Sequence, residues 1–511
     1  MMGNLTPELA LIRDETRELA ANYGLDFYEV IFELVDHDEL NMIASYGGFP
    51  TRYPHWRFGM EYEQLSKSYT YGLSKIYELV INNDPCYAYL MRSNSLTDQK
   101  LVMAHVYGHC DFFKNNSWFA QTSRKMMDEM ANHGARIRRY MDKYGVSVVE
   151  DFIDRIQSLD NLIDVYSLFI RRSTGAVAPE TGSGDEGKVH KLAAKDYMDR
   201  YINPPEFLER QRAQAADEAM RRTRFPARPQ RDVLKFLMDH APLESWQQEV
   251  IAILRDEAYY FAPQGMTKIM NEGWAVYWHS TMMCNHLLDA SEVVHYCDAH
   301  SGTLATQPGQ INPYKLGVEL FRHIEHRWDV GKFGPEYRKC EDAEQRRAWH
   351  IPTNEGRDKI FQVRKIHNDI SFIDEFVDEE FAERQKMFVY GVNQSTGQLE
   401  IMDRDYTKVK KQLLNAMTNF GNPIIEVVDA NFQNRGELYL YHDWTGVDLQ
   451  FDNATKTLQY LFALWKRPVH IETRDEGKPQ LLSFDGKEPS IREIGASKSD
   501  TQVVGVGEVD D

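Results

Sequence analysis

Cysteine is scarce and scattered in this chain. Cys86, Cys110, Cys284, Cys297 and Cys340 form no CxxC pair, so neither a disulfide framework nor a thiolate zinc knuckle is expected. Basic charge is also in short supply: 59 Lys and Arg stand against 78 Asp and Glu, a formal net charge of −19. A protein that binds nucleic acid regardless of sequence needs a basic face to displace counterions, and this balance argues against one. It argues equally against docking on anionic lipid. No apolar run approaches the roughly 18 residues a membrane span requires. The opening stretch, MMGNLTPELALIRDETREL, carries acids where a signal peptide has a basic and then an apolar segment. The expectation is a protein of the reducing cytoplasm, with a substrate or protein partner rather than nucleic acid or a membrane.

What the chain does have is enough apolar material for large cores. Its 511 residues are 42% hydrophobic and 12% aromatic, and a chain of this length divides into two or three domains. Thr6-Pro7-Glu8 reads as an N-cap, a first-turn proline and an acid suited to the helix dipole, with a helix to about Ala21. A second amphipathic run covers LDFYEVIFELVDHDEL, and a Gly/Pro-punctuated aromatic loop, GGFPTRYPHWRFGMEYEQL, follows. Long helical patterns are expected around 63–82, 97–114 and 118–143. The stretch 173–198, poor in large apolar residues, reads as a flexible insertion or linker. It separates a first helical half, 1–172, from a second, 199–384. Beyond 385 the hydrophobic period shifts from 3.6 towards 2, and strands alternating with two helices predict a small α+β domain at 385–490, ferredoxin-like in arrangement. Residues 491–511 read as a disordered tail.

Chemistry concentrates in two stretches. In MAHVYGHCDFFKNN, His105 and His109 stand at i and i+4 and share one helix face. Leu101 precedes them and Phe112 follows, so the imidazoles lie on an inward stripe. Two neutral buried imidazoles satisfy each other poorly. A divalent cation resolves this, and HxxxH is the spacing that zinc helices use; a hydrogen-bonded core pair is the alternative. In TKIMNEGWAVYWH, Glu272, Val276, His279, Met283 and His286 fall on one stripe of a helix that is apolar nearly all round. A carboxylate buried there needs an arginine, such as Arg136, or a cation. Together His105, His109 and Glu272 compose the His–His–Glu ligand set of a zinc site with an open position.

Other residues surround this proposal. Glu129 and His133, one turn apart, either extend the site to a carboxylate-bridged dimetal centre or form a structural ion pair. Asp111 either orients His109 as a hydrogen-bond acceptor or faces solvent. Tyr53 and Arg57, with His55 and Trp56, either line a substrate cleft or pack as a loop tip. His295 and His300 read as structural.

With these residues in view, the chain resembles the stage V sporulation protein R (SpoVR) family. The resemblance lies in YELVINNDPCYAYL, MAHVYGHCDFFKNN, ANHGARI, KIMNEGWAVYWH and NPYKLGVELFRHIEHRWDVGKFG, and it extends to the C-terminal segment. It implies a cytoplasmic bacterial protein linked to spore cortex or cell-wall formation, in a family found also in bacteria that make no spores, and it supplies no reaction. A looser similarity is to gluzincin-type metallopeptidases, in which an HExxH helix is joined by a later glutamate. That similarity implies a mainly α-helical, zincin-like N-terminal region with His105, His109 and Glu272 as ligands, beside the smaller C-terminal α+β domain. Val106 departs from the pattern, because it stands where the general base would be and an alkyl group accepts no proton.

Three functions follow as expectations. The first is a zinc-dependent hydrolase acting on an amide of a cell-wall precursor or a peptide, with its base elsewhere, at His279 or Glu129. His279 lies two turns beyond Glu272, roughly 10 Å along the helix, and an imidazole near its ordinary pKa accepts protons at pH 7. The second is a degenerate zincin scaffold that binds without turnover. The third is a dimetal redox protein.

Overall fold

A computed structural model describes residues 5–70, 78–170, 198, 204–210, 224–307, 309–392 and 398–495. The chain divides into two compact units, Met1–Glu150 with Asp256–Gly421, and Asp151–Arg255 with Asn422–Asp511. It is mostly helical, with a five-stranded sheet near the C-terminus.

The first unit begins as its caps dictate. Thr6 accepts from the Leu9 amide at the head of helix Pro7–Asn22. The run LDFYEVIFELVDHDEL, expected to be a single amphipathic element, divides. Val30–Val35 is strand β1, and helix His37–Ser45 starts at Asp36, which forms a capping box with Glu39. A short β-branched and aromatic segment takes the strand state once a neighbour offers hydrogen bonds. Here the neighbour is β3 (Cys86–Met91), parallel to β1 and antiparallel to β2 (Glu78–Ile81), in the order β1-β3-β2. The helix expected at 63–82 is therefore Trp56–Thr70 followed, after residues outside the description, by β2. The helix expected at 118–143 begins later, at Met126, after a single 3₁₀ turn at Phe119–Gln121.

β3 leads into the HxxxH helix, Leu96–Asn115, whose first turn is capped by Ser95. The NEGWA helix, Lys268–Met282, packs against it, and helix Pro313–Asp329 packs against the NEGWA helix. Glycines let these backbones meet. A Cβ on Gly108 would stand 2.7 Å from the Ala275 Cα, and one on Gly317 would stand 2.1 Å from the Ile269 carbonyl. Trp274 and Trp278 fill the surrounding core, which also holds Val106.

The second unit carries the sheet β10-β9-β8-β7-β6 (Pro489–Glu493, Lys478–Phe484, Val469–Asp475, Glu437–His442 and Ile425–Phe432). Only β7 and β8 run parallel, joined through helix Phe451–Trp465. The strands follow one another across the sheet in chain order, which corrects the expected ferredoxin-like arrangement, where strands interleave. Gln230 bridges to Val427 on the β6 edge, so residues from both chain segments build this unit.

These boundaries differ from those read along the sequence. The interval 385–490 divides at Gly421. The hairpin of β4 (Val389–Val392) and β5 (Leu399–Asp403), with helix Tyr406–Met417, groups with the first unit. Tyr406, Leu414 and Met417 pack on that unit's core, and the Lys410 ammonium donates to the Asp374 carbonyl at 2.5 Å. Residues 173–197 of the expected linker lie outside the described residues. So does 496–511 of the expected tail, whereas Ile491, Arg492 and Glu493 close β10.

Candidate metal centre

The HxxxH helix places His105 and His109 one above the other, with ring centroids 4.5 Å apart and planes at 84°. Both rings face Glu272 on the NEGWA helix. One Glu272 oxygen, Oε2, lies 3.5 Å from Nε2 of His105 and 3.5 Å from Nε2 of His109. One ligand atom from each residue falls within 4.8 Å of the other two, and among the described residues no other group of three His, Cys, Asp or Glu converges this way. Both histidines are buried, and the Glu272 side chain is the most open of the three at 19% exposed. Burial acts to raise the Glu272 pKa. The hydrogen bonds and charge of His105 and His109 outweigh it and hold the carboxyl well below the usual carboxylate range, so it is ionised at pH 7.

The outer nitrogens of the two imidazoles are engaged. His109 Nδ1 donates to Asn271 Oδ1 at 2.8 Å, so in the neutral ring the lone pair is on Nε2. His105 Nδ1 meets His279 Nδ1 at 2.9 Å, and His279 Nε2 meets His300 Nδ1 at 3.2 Å. Thus His279 stands behind His105, at the opposite edge of that ring from Glu272. Burial, reinforced by His105, His300 and Arg322, pushes its pKa well below the ordinary histidine value. A base titrating near pH 7 is not what the structure places here. His300 is half-buried, stacked on Tyr296 at 5.4 Å and 22°.

The remaining sequence candidates lie elsewhere. His133 Nδ1 is 3.3 Å from Glu257 Oε1, and Glu257 also pairs with the Arg52 guanidinium. Glu129 accepts from the Ser123 hydroxyl at 2.9 Å. Neither joins the three-residue group, and the expected dimetal extension does not assemble. Asp111, two residues past His109, is fully buried on another face of the helix. It accepts from Trp274 Nε1 at 2.8 Å and from the Asp26 amide at 2.8 Å, and pairs with Arg364 at 3.1 Å. Burial raises its pKa to about 6 despite Arg364. The hydrogen bond to His109 expected of Asp111 is made instead by Asn271. Tyr53 is a core residue packed edge-on against His55, and the exposed Arg57 pairs with Glu61 at 3.0 Å. Asn271 was legible as the polar residue before Glu272 in an otherwise apolar helix. His300, read from the sequence as structural, arrives from helix Val293–Thr303 to meet His279.

A curated relative from Escherichia coli (strain K12), "Uncharacterized protein YcgB", is 30% identical, with 92% of each chain covered. No solved structure matches the chain. The family model described as "SpoVR like protein" matches residues 4–422, and the one described as "SpoVR-like C-terminal domain" matches 423–476. The chain belongs to the SpoVR family.

Proposed function

We propose that this chain binds one divalent transition metal, zinc, through Nε2 of His105, Nε2 of His109 and the Glu272 carboxylate, and acts as a metal-dependent, hydrolase-like protein. One observation carries the reading: two buried imidazole nitrogens and a carboxylate oxygen converge within 4.8 Å. Two imidazoles and a carboxylate form a donor set that suits zinc, and three protein ligands leave a position open. Zinc held there would supply Lewis acidity towards a carbonyl. The substrate class is an amide of a cell-wall precursor or a peptide, and the zincin-like reading of the helical region rests on the same ligand pattern.

The chain's own residues divide the work. Glu272 offers charge, His105 and His109 offer neutral nitrogen, and Asn271 and His279 hold the rings. Val106, fully buried in the core, presents no proton acceptor. This favours a second reading, a scaffold that holds metal and binds a partner without turnover.

Elemental analysis of untagged protein purified without added metal tests the first step, with about one zinc per chain expected. Absence of metal together with no uptake of added zinc refutes the centre. Metal without release of amine from any peptide or cell-wall amide selects the scaffold.

A further inference from the structure

We infer that His279 and His300 are positioning residues that, through a chain of three imidazoles, couple the tautomer of His105, and with it the ability of His105 to ligate a metal, to the proton position on His300. This rests on the metal reading of the same site. Its support is the pair of ring-to-ring contacts, 2.9 Å from His105 Nδ1 to His279 Nδ1 and 3.2 Å from His279 Nε2 to His300 Nδ1.

At such distances each contact holds a single proton, since two N–H groups or two lone pairs facing each other repel. A neutral imidazole carries one N–H in total, and the cost of desolvating charge keeps a buried ring such as His279 neutral. The directions along the chain are therefore linked. With His105 ligating through Nε2, its proton is on Nδ1 and donates to His279 Nδ1. The His279 proton is then on Nε2 and donates to His300 Nδ1, which leaves the His300 proton on Nε2. In the opposite direction His300 donates to His279, and His279 to His105. The His105 proton is then on Nε2, aimed at the Glu272 oxygen 3.5 Å away, and that nitrogen has no lone pair to offer. His109 lacks this freedom, because Asn271 Oδ1 only accepts. The proton position on the half-buried His300 is thus linked to whether Nε2 of His105, 195 residues earlier, is open or closed. Outer-sphere partners of metal-bound histidines fix ring and tautomer in this way, and losing one typically costs ten- to a hundredfold in affinity.

The test measures zinc affinity of the full chain by competition with a chromophoric chelator, and melting of the metal-free chain alongside. His279→Phe keeps a ring of similar size without nitrogen, and its affinity should fall roughly ten- to a hundredfold. His279→Asn places an acceptor oxygen near the former Nδ1 and should recover most of that loss. His300→Ala should show a smaller loss in the same direction with unchanged metal-free melting. Wild-type affinity in His279→Phe overturns the inference while leaving the metal centre intact. If His279→Phe does not fold, wild-type affinity in His300→Ala overturns it instead. A wild-type chain that takes up no zinc overturns the metal reading, and the inference falls with it.

Discussion

Two carboxylates in the first unit lie beside imidazoles, Glu257 buried and Glu272 partly so, and the partners that surround them differ. Glu257 lies between the Arg52 guanidinium and His133, with all three side chains under a tenth exposed. Glu272 lies between His105 and His109. A buried carboxylate is tolerable only when positive charge or strong hydrogen bonds compensate its desolvation. At Glu257 the chain supplies a permanent cation, and Arg138 ties the same loop down by donating to the Arg52 carbonyl at 3.0 Å. At Glu272 it supplies nitrogens that carry a proton or a metal equally well. Similar ingredients give a closed ion pair in one place and, under the reading proposed above, a socket in the other. The His133 imidazole, a metal candidate by sequence, belongs to the closed one.

Breaking the socket should give the largest effect. Glu272→Ala is expected to abolish metal binding, from about one zinc per chain to none by elemental analysis, with the metal-free fold retained. A variant that keeps its zinc would remove Glu272 from the ligand set.

The closed cluster should respond in stability alone. Glu257→Ala strands a buried guanidinium, and losing one partner of a buried pair costs about 3 to 5 kcal/mol. Denaturant unfolding should show that loss while zinc stoichiometry stays at the wild-type value. A loss of metal without destabilisation would erase the distinction between the clusters.

Asn271→Ala sharpens the comparison at smaller scale. His109 loses the acceptor of its Nδ1 proton, so zinc affinity should fall by about tenfold, at the low end for an outer-sphere partner. Titration against a chelator reads this directly, and unchanged affinity would show that ring packing alone orients His109.

Outside both clusters, Asp369 caps the NEGWA helix by accepting from the Ile269 and Met270 amides at 2.8 and 2.9 Å. Burial raises its pKa from 3.8 to about 7, against the pull of those two hydrogen bonds. The folded state therefore holds this proton more tightly than the unfolded chain does. Its contribution to stability is complete below pH 4 and declines as pH rises towards 7. Asp369→Asn should remove that decline. The melting temperature of the wild type relative to the variant should fall between pH 4 and pH 7, and parallel curves would refute the assignment.

Much of the site was legible because its information is local. The i, i+4 spacing put His105 and His109 on one face, and an apolar helix marked Glu272 as a charge in need of a partner. The Thr6 cap placed the first helix start at Pro7, and the helical pattern at 97–114 matches Leu96–Asn115 within a residue at each end. The errors came where local signals were degenerate. VIFELV suits a strand or a buried helix equally, and the parallel partner β3 decided for the strand. Asp111 and Asn271 are polar neighbours in sequence of His109 and Glu272, but helix rotation turns Asp111 towards Trp274 and Arg364 and leaves Asn271 facing His109.

The sequence by itself determined which residue types are available for chemistry, which of them share a helix face, and that position 106 has no proton to accept or give. Side-chain period is a property of the backbone and needs no neighbour. Only the tertiary structure decided which faces meet. It brought His279 and Asn271 to the outer nitrogens of His105 and His109, more than 160 residues away, and gave His133 to Arg52 and Glu257. The first of those choices follows from the close helix crossing at Gly108, where packing rather than periodicity sets the rotation and register of one helix against the next.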